Sequence, residues 1–449
     1  MSPFELRGVI EGFYGVFYTQ PQRLSLLEFM GRHGFNLYIY APKNDRQHRR
    51  HWREPYPPRQ LEQFREAAAV ANSQGIDFCY ALSPGIDICY SSEEEFAAVL
   101  GKLETINALG VSHFSLLLDD IRPTFANERD AEAYPSVAAA QAHLCNRALE
   151  RLREIDPNCR LSMCPTDYHG GPPFSPAVAE LGELLDPAID VFYTGLDVCS
   201  REVGRSEVDE FARVVRRRPL IWDNYPVNDL AMQGELHVGP IRGRSADLHR
   251  AARGVVVNPM NQMEASKVPL ATYAEYLADP ARYRPEEAWA RALREVAERH
   301  ARELELIARN SLRSCLGTEE AERLAQLTAS ALVALEAGLA DDPVVGELHA
   351  YLTELDEACY ALRYRLENLE LRNELLPWLE QLEQWTWLGR WSIEALSENA
   401  VGSTTDAGRL RRIEEWQGMI ERHPKRIGGE FLRPLAQLAL ERCLEAEAA

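Results

Sequence analysis

The sequence lacks the signatures of a protein held together by disulfides or metal ions. Its nine cysteines are scattered singly along 449 residues, with no Cys-x-x-Cys pair and no His or Cys pair at the spacing of zinc ligands. An odd and dispersed set of cysteines is typical of reduced thiols in a reducing compartment. We therefore predict no disulfide framework and no metal site, and we expect no cofactor.

Positive charge and long apolar runs are also scarce. Lys and Arg number 49 against 69 Asp and Glu, which gives a formal net charge of −20. Nucleic acids and anionic membranes both attract basic surfaces, so we expect neither as a partner. No run approaches the roughly 18 apolar residues of a transmembrane helix. The first residues lack the basic and apolar regions of a secretory signal, and we expect a cytoplasmic protein.

Short apolar runs alternate with amphipathic segments through the first part of the chain. Each run is apolar on both faces, as expected of strands that helices cover on one side and a barrel core on the other. Eight βα units in about 280 residues are typical of a (β/α)8 TIM barrel. An open doubly wound sheet is the alternative, which the lack of a Gly-x-Gly-x-x-Gly turn disfavours. The runs are 8–10, 37–40, 78–82, 114–118, 161–164, 191–193, 220–222 and 255–257.

Strand signals end near Arg284, and the remaining residues have the composition and spacing of helices. We predict a barrel domain over residues 1–283 and an all-α helical bundle of about five or six helices over residues 284–449. Four tryptophans, Trp378, Trp385, Trp387 and Trp391, fall on one predicted helix. They are expected in the bundle core, and the alternative is that one or two reach the barrel mouth or a subunit interface.

Polar or glycine-rich residues follow nearly every predicted strand. In a barrel these strand ends meet on one face, where active sites lie. Pro and Asp after a strand are also ordinary turn residues, so only their recurrence indicates a site. The clusters are 11–15, 41–45, 83–85, 119–120, 165–168, 194–195, 223–225 and 258–259.

Asp119 and Asp120 follow the fourth run directly. Two adjacent aspartates can simply form a solvated turn or a helix cap. At the end of a barrel strand both can lean into a site, where their mutual repulsion would keep one protonated as a general acid. Glycoside hydrolysis needs one protonated and one ionised carboxyl group. In most retaining enzymes, however, these two groups lie on either side of the glycosidic bond, about 5–5.5 Å apart. Neighbouring residues instead suit a substrate that supplies its own 2-acetamido nucleophile.

The residues at these strand ends resemble glycoside hydrolase family 84. This family contains protein O-GlcNAcases and bacterial β-N-acetylglucosaminidases, some of them called hyaluronidases. The resemblance implies a TIM-barrel catalytic domain and a stalk-like helical domain. The sequence differs from the family pattern at Asn44, where a second acidic residue is usual, and at Tyr193, where tryptophan is frequent. The similar segments are 7–15, 40–43, 81–85, 119–121, 164–168, 194–195, 221–224, 228–229, 239–240, 243–244 and 258–259.

The resemblance implies retaining removal of terminal β-linked GlcNAc through an oxazoline formed by the substrate's acetamido group. Asp119 would orient that group, Asp120 would act as general acid and then base, and Tyr168 would bind the acetamido oxygen. Taken alone, a Tyr or Trp is more often a core residue and a Lys a surface charge, and only the shared position supports a site. The implied substrate-binding residues are Gly12, Tyr14, Lys43, Cys164, Tyr193, Thr194, Trp222, Asn224, Asp229 and Asn258.

The implied substrate is a GlcNAc-bearing glycoprotein, glycopeptide or small glycoside, and we expect a homodimer formed through the helical domain. One alternative is a hexosaminidase that acts on hyaluronan or chitin fragments. Another is a GlcNAc-binding pseudoenzyme, which the presence of Asp119, Asp120 and Tyr168 disfavours. A third is a scaffold role for the helical domain. A deep pocket for one sugar would favour terminal GlcNAc, whereas an extended aromatic cleft would favour a polymer.

Overall fold

Eight parallel strands close into a barrel in the order of the sequence. The computed structural model describes residues 2–400 and 407–448. Each predicted apolar run coincides with one strand, which confirms the TIM barrel and excludes the open sheet. The strands are β1 (Leu6–Glu11), β2 (Leu37–Tyr40), β3 (Asp77–Leu82), β4 (His113–Leu117), β5 (Arg160–Cys164), β6 (Asp190–Tyr193), β7 (Leu220–Asp223) and β8 (Gly254–Val257).

Helices connect most of these strands, and several begin at a side-chain cap that the sequence provides. Thr19, Ser92, Ser136 and Ser175 each accept a hydrogen bond from a backbone N–H in the first turn of the helix that follows. The helices are α1 (Gln20–Arg32), α2 (Pro58–Ser73), α3 (Glu93–Asn107), α4 (Glu128–Ala133), α5 (Val137–Ile155), α6 (Pro176–Leu184), α7 (Arg205–Val215) and α8 (Met263–Ala278).

The connection from β7 to β8 departs from the regular βα pattern. It contains two short 3-10 turns, Leu230–Met232 and Leu248–Arg250, and no α-helix, although the structure describes all of its residues. The sequence here is interrupted by Pro and Gly, as at Pro226, Gly239 and Pro240, which limits helix formation. Eight strands are therefore present, but the seventh crossover lacks the predicted helical unit.

The barrel interior is filled by alternate residues of the strands. Side chains in a strand point to opposite faces in turn, so every second residue faces inward. Trp222 of β7 and Phe192 of β6 meet edge to face inside the barrel, with ring centroids 5.5 Å apart. The buried cluster comprises Leu6, Ile10, Leu37, Ile39, Ala41, Cys79, Ala81, Leu117, Cys164, Phe192, Leu220, Trp222 and Val256.

Among the residues that the structure describes, the C-terminal part consists of helices and their connecting loops and has no β-strand. The described residues of this part form seven α-helices, so the prediction of five or six was too low, because the helical spacing of apolar residues does not show every helix end. Pro343 begins one helix and Pro377 lies inside another. The helices are α9 (Pro285–Ala297), α10 (Ala301–Arg309), α11 (Glu322–Glu336), α12 (Pro343–Tyr364), α13 (Leu369–Ala400), α14 (Ala407–Arg422) and α15 (Arg433–Ala448).

The four tryptophans of α13 divide into two groups. Trp378 and Trp385 are buried, as predicted for the bundle core. Trp387 is 38% exposed and packs edge to face against Trp416 of α14, with ring centroids 5.1 Å apart. Trp391 lies beneath the guanidinium group of Arg412. The core prediction therefore holds for the first two but not for the exposed ring of Trp387.

The chain forms two compact units that do not follow a single cut in the sequence. The first contains the residues up to Leu230, Pro240–Met263 and Leu270–Ala288, and the second contains Ala231–Gly239, Glu264–Pro269 and the chain from Trp289. The linear division at residues 283 and 284 stays a prediction. Within the described ranges, no helix has the length and apolar character needed to cross a membrane.

Candidate active site

Most site residues lie two positions after the last inward-facing residue of a strand, so they continue its inward-facing pattern. Asp119 lies two positions after Leu117, which faces the barrel interior, and Thr194 lies two positions after Phe192. A side chain two residues beyond an inward one keeps its direction as long as the backbone stays extended. The same spacing relates Ile10 to Gly12, Ala41 to Lys43, Trp222 to Asn224 and Val256 to Asn258.

Asp120 would point away from the site if this alternation continued. Its backbone instead adopts a left-handed conformation with φ of 54°. Asp tolerates this region better than most residues, but such a conformation still costs about 1–3 kcal/mol. The reversal breaks the alternation and lets two consecutive carboxylates line one cavity. Asp119 is 6% exposed and Asp120 is 31% exposed.

Lys43 supplies the positive charge beside the carboxylate pair. Its ammonium group forms an ion pair with Asp119 Oδ2 and lies 3.7 Å from Asp120 Oδ2. Burial opposes a charge on Lys43, but the neighbouring Asp119 and Asp120 outweigh it and raise the pKa of the lysine above its usual value. Lys43 is therefore a buried cation that belongs to the site and not a solvated surface residue.

Both carboxylate oxygens of Asp120 accept hydrogen bonds from tyrosines. The Tyr14 hydroxyl donates to Oδ2 at 2.8 Å, and the Tyr168 hydroxyl donates to Oδ1 at 2.9 Å. Burial would raise the pKa of Asp120, but the charge of Lys43, these two hydrogen bonds and the charge of Arg49 together lower it. The expectation that repulsion raises the pKa of the acid is therefore wrong for Asp120, because the charges of Lys43 and Arg49 offset that repulsion.

A second group of polar residues connects the ends of β1, β7 and β8. Asn224 Oδ1 accepts hydrogen bonds from Trp222 Nε1 and from Asn258 Nδ2, both at 2.9 Å. The backbone N–H of Gly12 donates to Asn258 Oδ1 at 3.2 Å. A Cβ atom at Gly12 would lie 2.7 Å from the Trp222 ring, so this close approach requires glycine. The indole is thus held between the backbone of Gly12 and the side-chain amide of Asn224.

Asp229 lines the cavity and binds the loop after β1. Its Oδ2 accepts a hydrogen bond from the backbone N–H of Tyr14 at 2.7 Å. Burial and the negative charge of Asp120 raise the pKa of Asp229 above the usual range. Asn44, the position that differs from the family pattern, accepts a hydrogen bond from the backbone N–H of Gly15 at 3.2 Å and supports the same loop.

These residues line one cavity. It contains twelve of the thirteen residues predicted from the sequence, together with four that were not predicted. The lining residues are Gly12, Tyr14, Lys43, Asp119, Asp120, Cys164, Tyr168, Thr194, Val198, Cys199, Trp222, Asn224, Val227, Asp229, Leu230 and Asn258.

Tyr193 is the predicted pocket residue that the structure places elsewhere. It follows the inward Phe192 and therefore points outward, where its ring stacks on Phe211 of α7 at 4.1 Å. Its hydroxyl donates to the carbonyl oxygen of Gly170 at 2.8 Å. Strand alternation alone contradicts the assignment, and the adjacent Thr194 occupies the inward position.

Five residues at or beside the site were missed. Val198, Cys199, Val227 and Leu230 lie on the loops after β6 and β7, and their only signal was proximity to predicted strand ends. Arg49 lies behind the cavity and contacts Tyr14 and Asp120. Nothing in the sequence separates it from Arg46 and Arg50 of the same loop. Among the residues that the structure describes, no group of three His, Cys, Asp or Glu side chains could hold a metal ion.

A buried ion pair supports the strand end that carries Trp222 and Asn224. Arg244 binds both oxygens of Asp223, at 2.8 Å from Nε and 2.6 Å from Nη2, and both side chains are almost fully buried. Removing one member of such a pair leaves an uncompensated charge. We expect Arg244→Met to lower the free energy of unfolding by about 3–5 kcal/mol.

Denaturant titration followed by fluorescence measures this effect. Arg242→Met is the matched control, because Arg242 forms an exposed ion pair with Glu286 and such pairs contribute at most about 1 kcal/mol. Equal losses in both variants would contradict the structural role assigned to Arg244.

The fold and the site together define a class of protein. A closed parallel barrel with two carboxylates at the end of its fourth strand, in a cavity rich in polar groups and aromatic rings, is the arrangement of a glycoside hydrolase. The NAGidase (beta-N-acetylglucosaminidase) family model matches residues 7–309, and the chain belongs to this family, glycoside hydrolase family 84.

Two mammalian relatives resemble part of the chain. The chain is 37% identical over 276 residues to the protein O-GlcNAcases of Rattus norvegicus and Mus musculus. The match covers 60% of this chain and 30% of each relative, so this chain accounts for less than a third of their length.

Two solved structures resemble almost the whole chain. A variant of the O-GlcNAc hydrolase of Thermobaculum terrenum has a TM-score of 0.91 and 33% identity, covering 99% of this chain and 96% of that one. The structure of CpGH84B has a TM-score of 0.84 and 29% identity, covering 98% of this chain and 77% of that one. The similarity therefore extends beyond the barrel into the helical part.

Proposed function

We propose that this chain is a retaining exo-β-N-acetylglucosaminidase that removes terminal β-linked GlcNAc by substrate-assisted catalysis. The observation that carries the proposal is the unequal environment of two adjacent carboxylates. Asp119 is buried and bound to a lysine, whereas Asp120 is more exposed and held by two tyrosines. Two such groups can act on different atoms of the same sugar.

Asp119 has the geometry to orient the acetamido group. Its Oδ2 is occupied by Lys43, while its Oδ1 is buried and has no hydrogen-bond partner among the described residues. A buried acceptor without a partner is costly unless a ligand provides the donor. The acetamido N–H of GlcNAc is a suitable donor, and Asp119 would hold it while the acetamido oxygen attacks the anomeric carbon.

Asp120 would donate a proton to the departing glycosidic oxygen. Its Oδ1 accepts a hydrogen bond from the Tyr168 hydroxyl, so a bound sugar must take over this tyrosine. We propose that the Tyr168 hydroxyl then donates to the acetamido oxygen. Loss of that hydrogen bond and further exclusion of water both favour the protonated form of Asp120.

The reaction divides into two balanced steps. In the first, the acetamido oxygen forms a bond to the anomeric carbon, the glycosidic bond breaks, and the leaving oxygen takes the proton of Asp120. The acetamido N–H proton passes toward Asp119 as the oxazoline forms. In the second, Asp120 accepts a proton from water, and the water oxygen bonds to the anomeric carbon as the bond from that carbon to the oxazoline oxygen breaks. The oxazoline nitrogen takes its proton back from Asp119, which restores the acetamido group. Two inversions give net retention.

The remaining pocket residues suit the recognition of one GlcNAc unit. Cys164, Thr194 and Trp222 would contact the acetyl methyl group, in place of the outward-facing Tyr193. Lys43, Asn224, Asp229 and Asn258, with the backbone of Gly12 and the loop of Tyr14, would bind or support the sugar hydroxyls. Because these residues line one cavity around the carboxylate pair, we favour a single terminal sugar over a polymer of hyaluronan or chitin.

The substrate we propose is GlcNAc attached to a protein or peptide. The relatives named protein O-GlcNAcase and O-GlcNAc hydrolase support this choice over a free oligosaccharide. A homodimer formed through the helical domain stays a prediction, to be tested by light scattering.

The test is to follow hydrolysis of an aryl β-GlcNAc glycoside by NMR. We expect the β-anomer of GlcNAc to appear first and to equilibrate later with the α-anomer. A GlcNAc-serine peptide should also be cleaved, whereas the matched aryl α-GlcNAc glycoside should not. The α-anomer appearing first would refute retention, and no turnover of any β-GlcNAc substrate would favour the pseudoenzyme.

A further inference from the structure

We infer that Arg49 is a positioning residue that holds the general acid Asp120 through two separate contacts. The inference rests on the proposed function of Asp120. Arg49 Nη1 donates a hydrogen bond to the Tyr14 hydroxyl at 2.7 Å, and that hydroxyl donates to Asp120 Oδ2 at 2.8 Å. Arg49 Nη2 donates to the backbone carbonyl oxygen of Asp120 at 3.3 Å. One planar group thus reaches both the side chain and the backbone of the same residue.

The backbone contact acts where Asp120 departs from ordinary geometry. Its φ of 54° turns its side chain into the cavity beside Asp119. A residue in this conformation relaxes toward an extended one unless its surroundings hold it. The donor from Arg49 to the Asp120 carbonyl oxygen favours the turned conformation, because it fixes the peptide plane that follows Asp120.

The side-chain contact distinguishes the two oxygens of the acid. The Tyr14 hydroxyl, which donates to Asp120 Oδ2, accepts a hydrogen bond from Arg49 Nη1, whereas the Tyr168 hydroxyl donates to Asp120 Oδ1. When a sugar binds and Tyr168 turns to it, the contact from Arg49 through Tyr14 retains Asp120 Oδ2. Oδ1 is then the oxygen that carries the proton to the leaving group.

Arg49 is itself fixed by the loop on which it lies. It is 6% exposed, and its guanidinium group lies 5.5 Å from the centroid of the Tyr14 ring. Asp45 Oδ1 accepts hydrogen bonds from the backbone N–H groups of Gln47 and His48. The carbonyl oxygen of His48 accepts a hydrogen bond from Ser83 N at 2.9 Å. These contacts tie the loop to the ends of β2 and β3 and leave the guanidinium group little freedom.

The neighbouring charges decide what the loss of Arg49 does. Asp120 faces the cations Lys43 and Arg49, the anions Asp119 and Asp229, and two tyrosine hydroxyls. Lys43 remains in any Arg49 variant, so the site keeps a cation beside both carboxylates. The loss of Arg49 therefore mainly displaces the proton donor Asp120, and it does not leave the two carboxylates without a neighbouring positive charge.

The test compares Arg49→Met with Arg50→Met, the exposed neighbour on the same loop. Misplacing a reacting group by about 1 Å can cost about 10²-fold in rate. We expect Arg49→Met to lower kcat by about that factor on an alkyl β-GlcNAc glycoside, with KM nearly unchanged. On a dinitrophenyl β-GlcNAc glycoside, which needs little proton donation, it should stay close to wild type. Arg50→Met should match wild type on both.

Chemical rescue and a second variant test the role of Arg49 further. Low millimolar guanidinium should restore Arg49→Ala on the alkyl glycoside, whereas Arg49→Lys should stay impaired because an ammonium group cannot reach both contacts. If Arg49→Met does not fold, Tyr14→Phe can be used, because it removes the hydroxyl that connects Arg49 to Asp120 Oδ2. It should show the same dependence on the leaving group.

Equal losses on both glycosides, or kinetics of Arg49→Met like those of Arg50→Met, would overturn the inference. A wild-type protein inactive on every β-GlcNAc glycoside would instead refute the proposed function. The two failures are therefore distinguishable in one set of assays.

Discussion

Replacing Asp120 by asparagine is expected to slow cleavage of alkyl and peptide β-GlcNAc glycosides by about 10²–10⁴-fold, the usual contribution of general acid–base catalysis. An asparagine keeps the size and polarity of the side chain but cannot deliver a proton. A serine alkoxide or simple alkoxide is a poor leaving group and depends on that proton. A dinitrophenolate departs without it, so the first step on that substrate should lose far less.

The measurement is kcat/KM for a series of glycosides whose leaving groups differ in pKa. The plot of its logarithm against leaving-group pKa should become steeper in Asp120→Asn than in wild type. Asp229→Asn is the matched control, because that carboxylate is assigned to sugar binding and its loss should be the same for every leaving group. Parallel lines for wild type and Asp120→Asn would contradict the assignment of the acid.

Most of the barrel could be predicted because each strand is recognisable from its own short run of residues. A strand buried on both faces must be apolar throughout, and eight such runs with helical spacing between them leave few alternatives. The β7 to β8 connection was less predictable. A helix was expected there only because the other βα units repeat, and the residues themselves gave no helical pattern. The helix count failed for a related reason, because the ends of bundle helices depend on packing more than on local sequence.

The site was predictable to the extent that strand alternation determines side-chain direction. Asp119, Thr194 and Asn258 follow from this rule. Tyr193 was assigned against it and lies outside the cavity, stacked on Phe211. Asp120 enters the cavity only through its left-handed backbone, which the sequence does not reveal.

The electrostatics of the pair could not be read from two adjacent aspartates. Their repulsion was the only interaction visible in the sequence. The structure adds the charges of Lys43 and Arg49 and two tyrosine donors, which reverse the direction of the pKa shift of Asp120. Lys43 was identified through the resemblance, but Arg49 comes from a loop whose conformation depends on Asp45 and on contacts with β3.

The second large effect should come from the substrate. If the acetamido oxygen is the nucleophile, a β-glucoside has nothing with which to attack and should react at least about 10³-fold more slowly than the β-GlcNAc glycoside. Well-placed intramolecular nucleophiles reach effective molarities of about 10⁵–10⁸ M, so their loss is severe. Asp119→Ala should likewise be slow on every leaving group, because the nucleophile is no longer oriented.

The most direct measurement is the rate on aryl β-GlcNAc glycosides whose acetyl group carries zero, one, two or three fluorine atoms. Each fluorine withdraws electrons and makes the carbonyl oxygen less nucleophilic, so we predict that log kcat/KM falls stepwise through the series. The same series measured on Asp119→Ala should fall from a lower starting rate. Substrate-assisted catalysis would be contradicted if the rates do not change with fluorination and one of two further results is found. These are a sugar ester trapped on a carboxylate, or rescue of Asp119→Ala by azide that gives an inverted glycosyl azide.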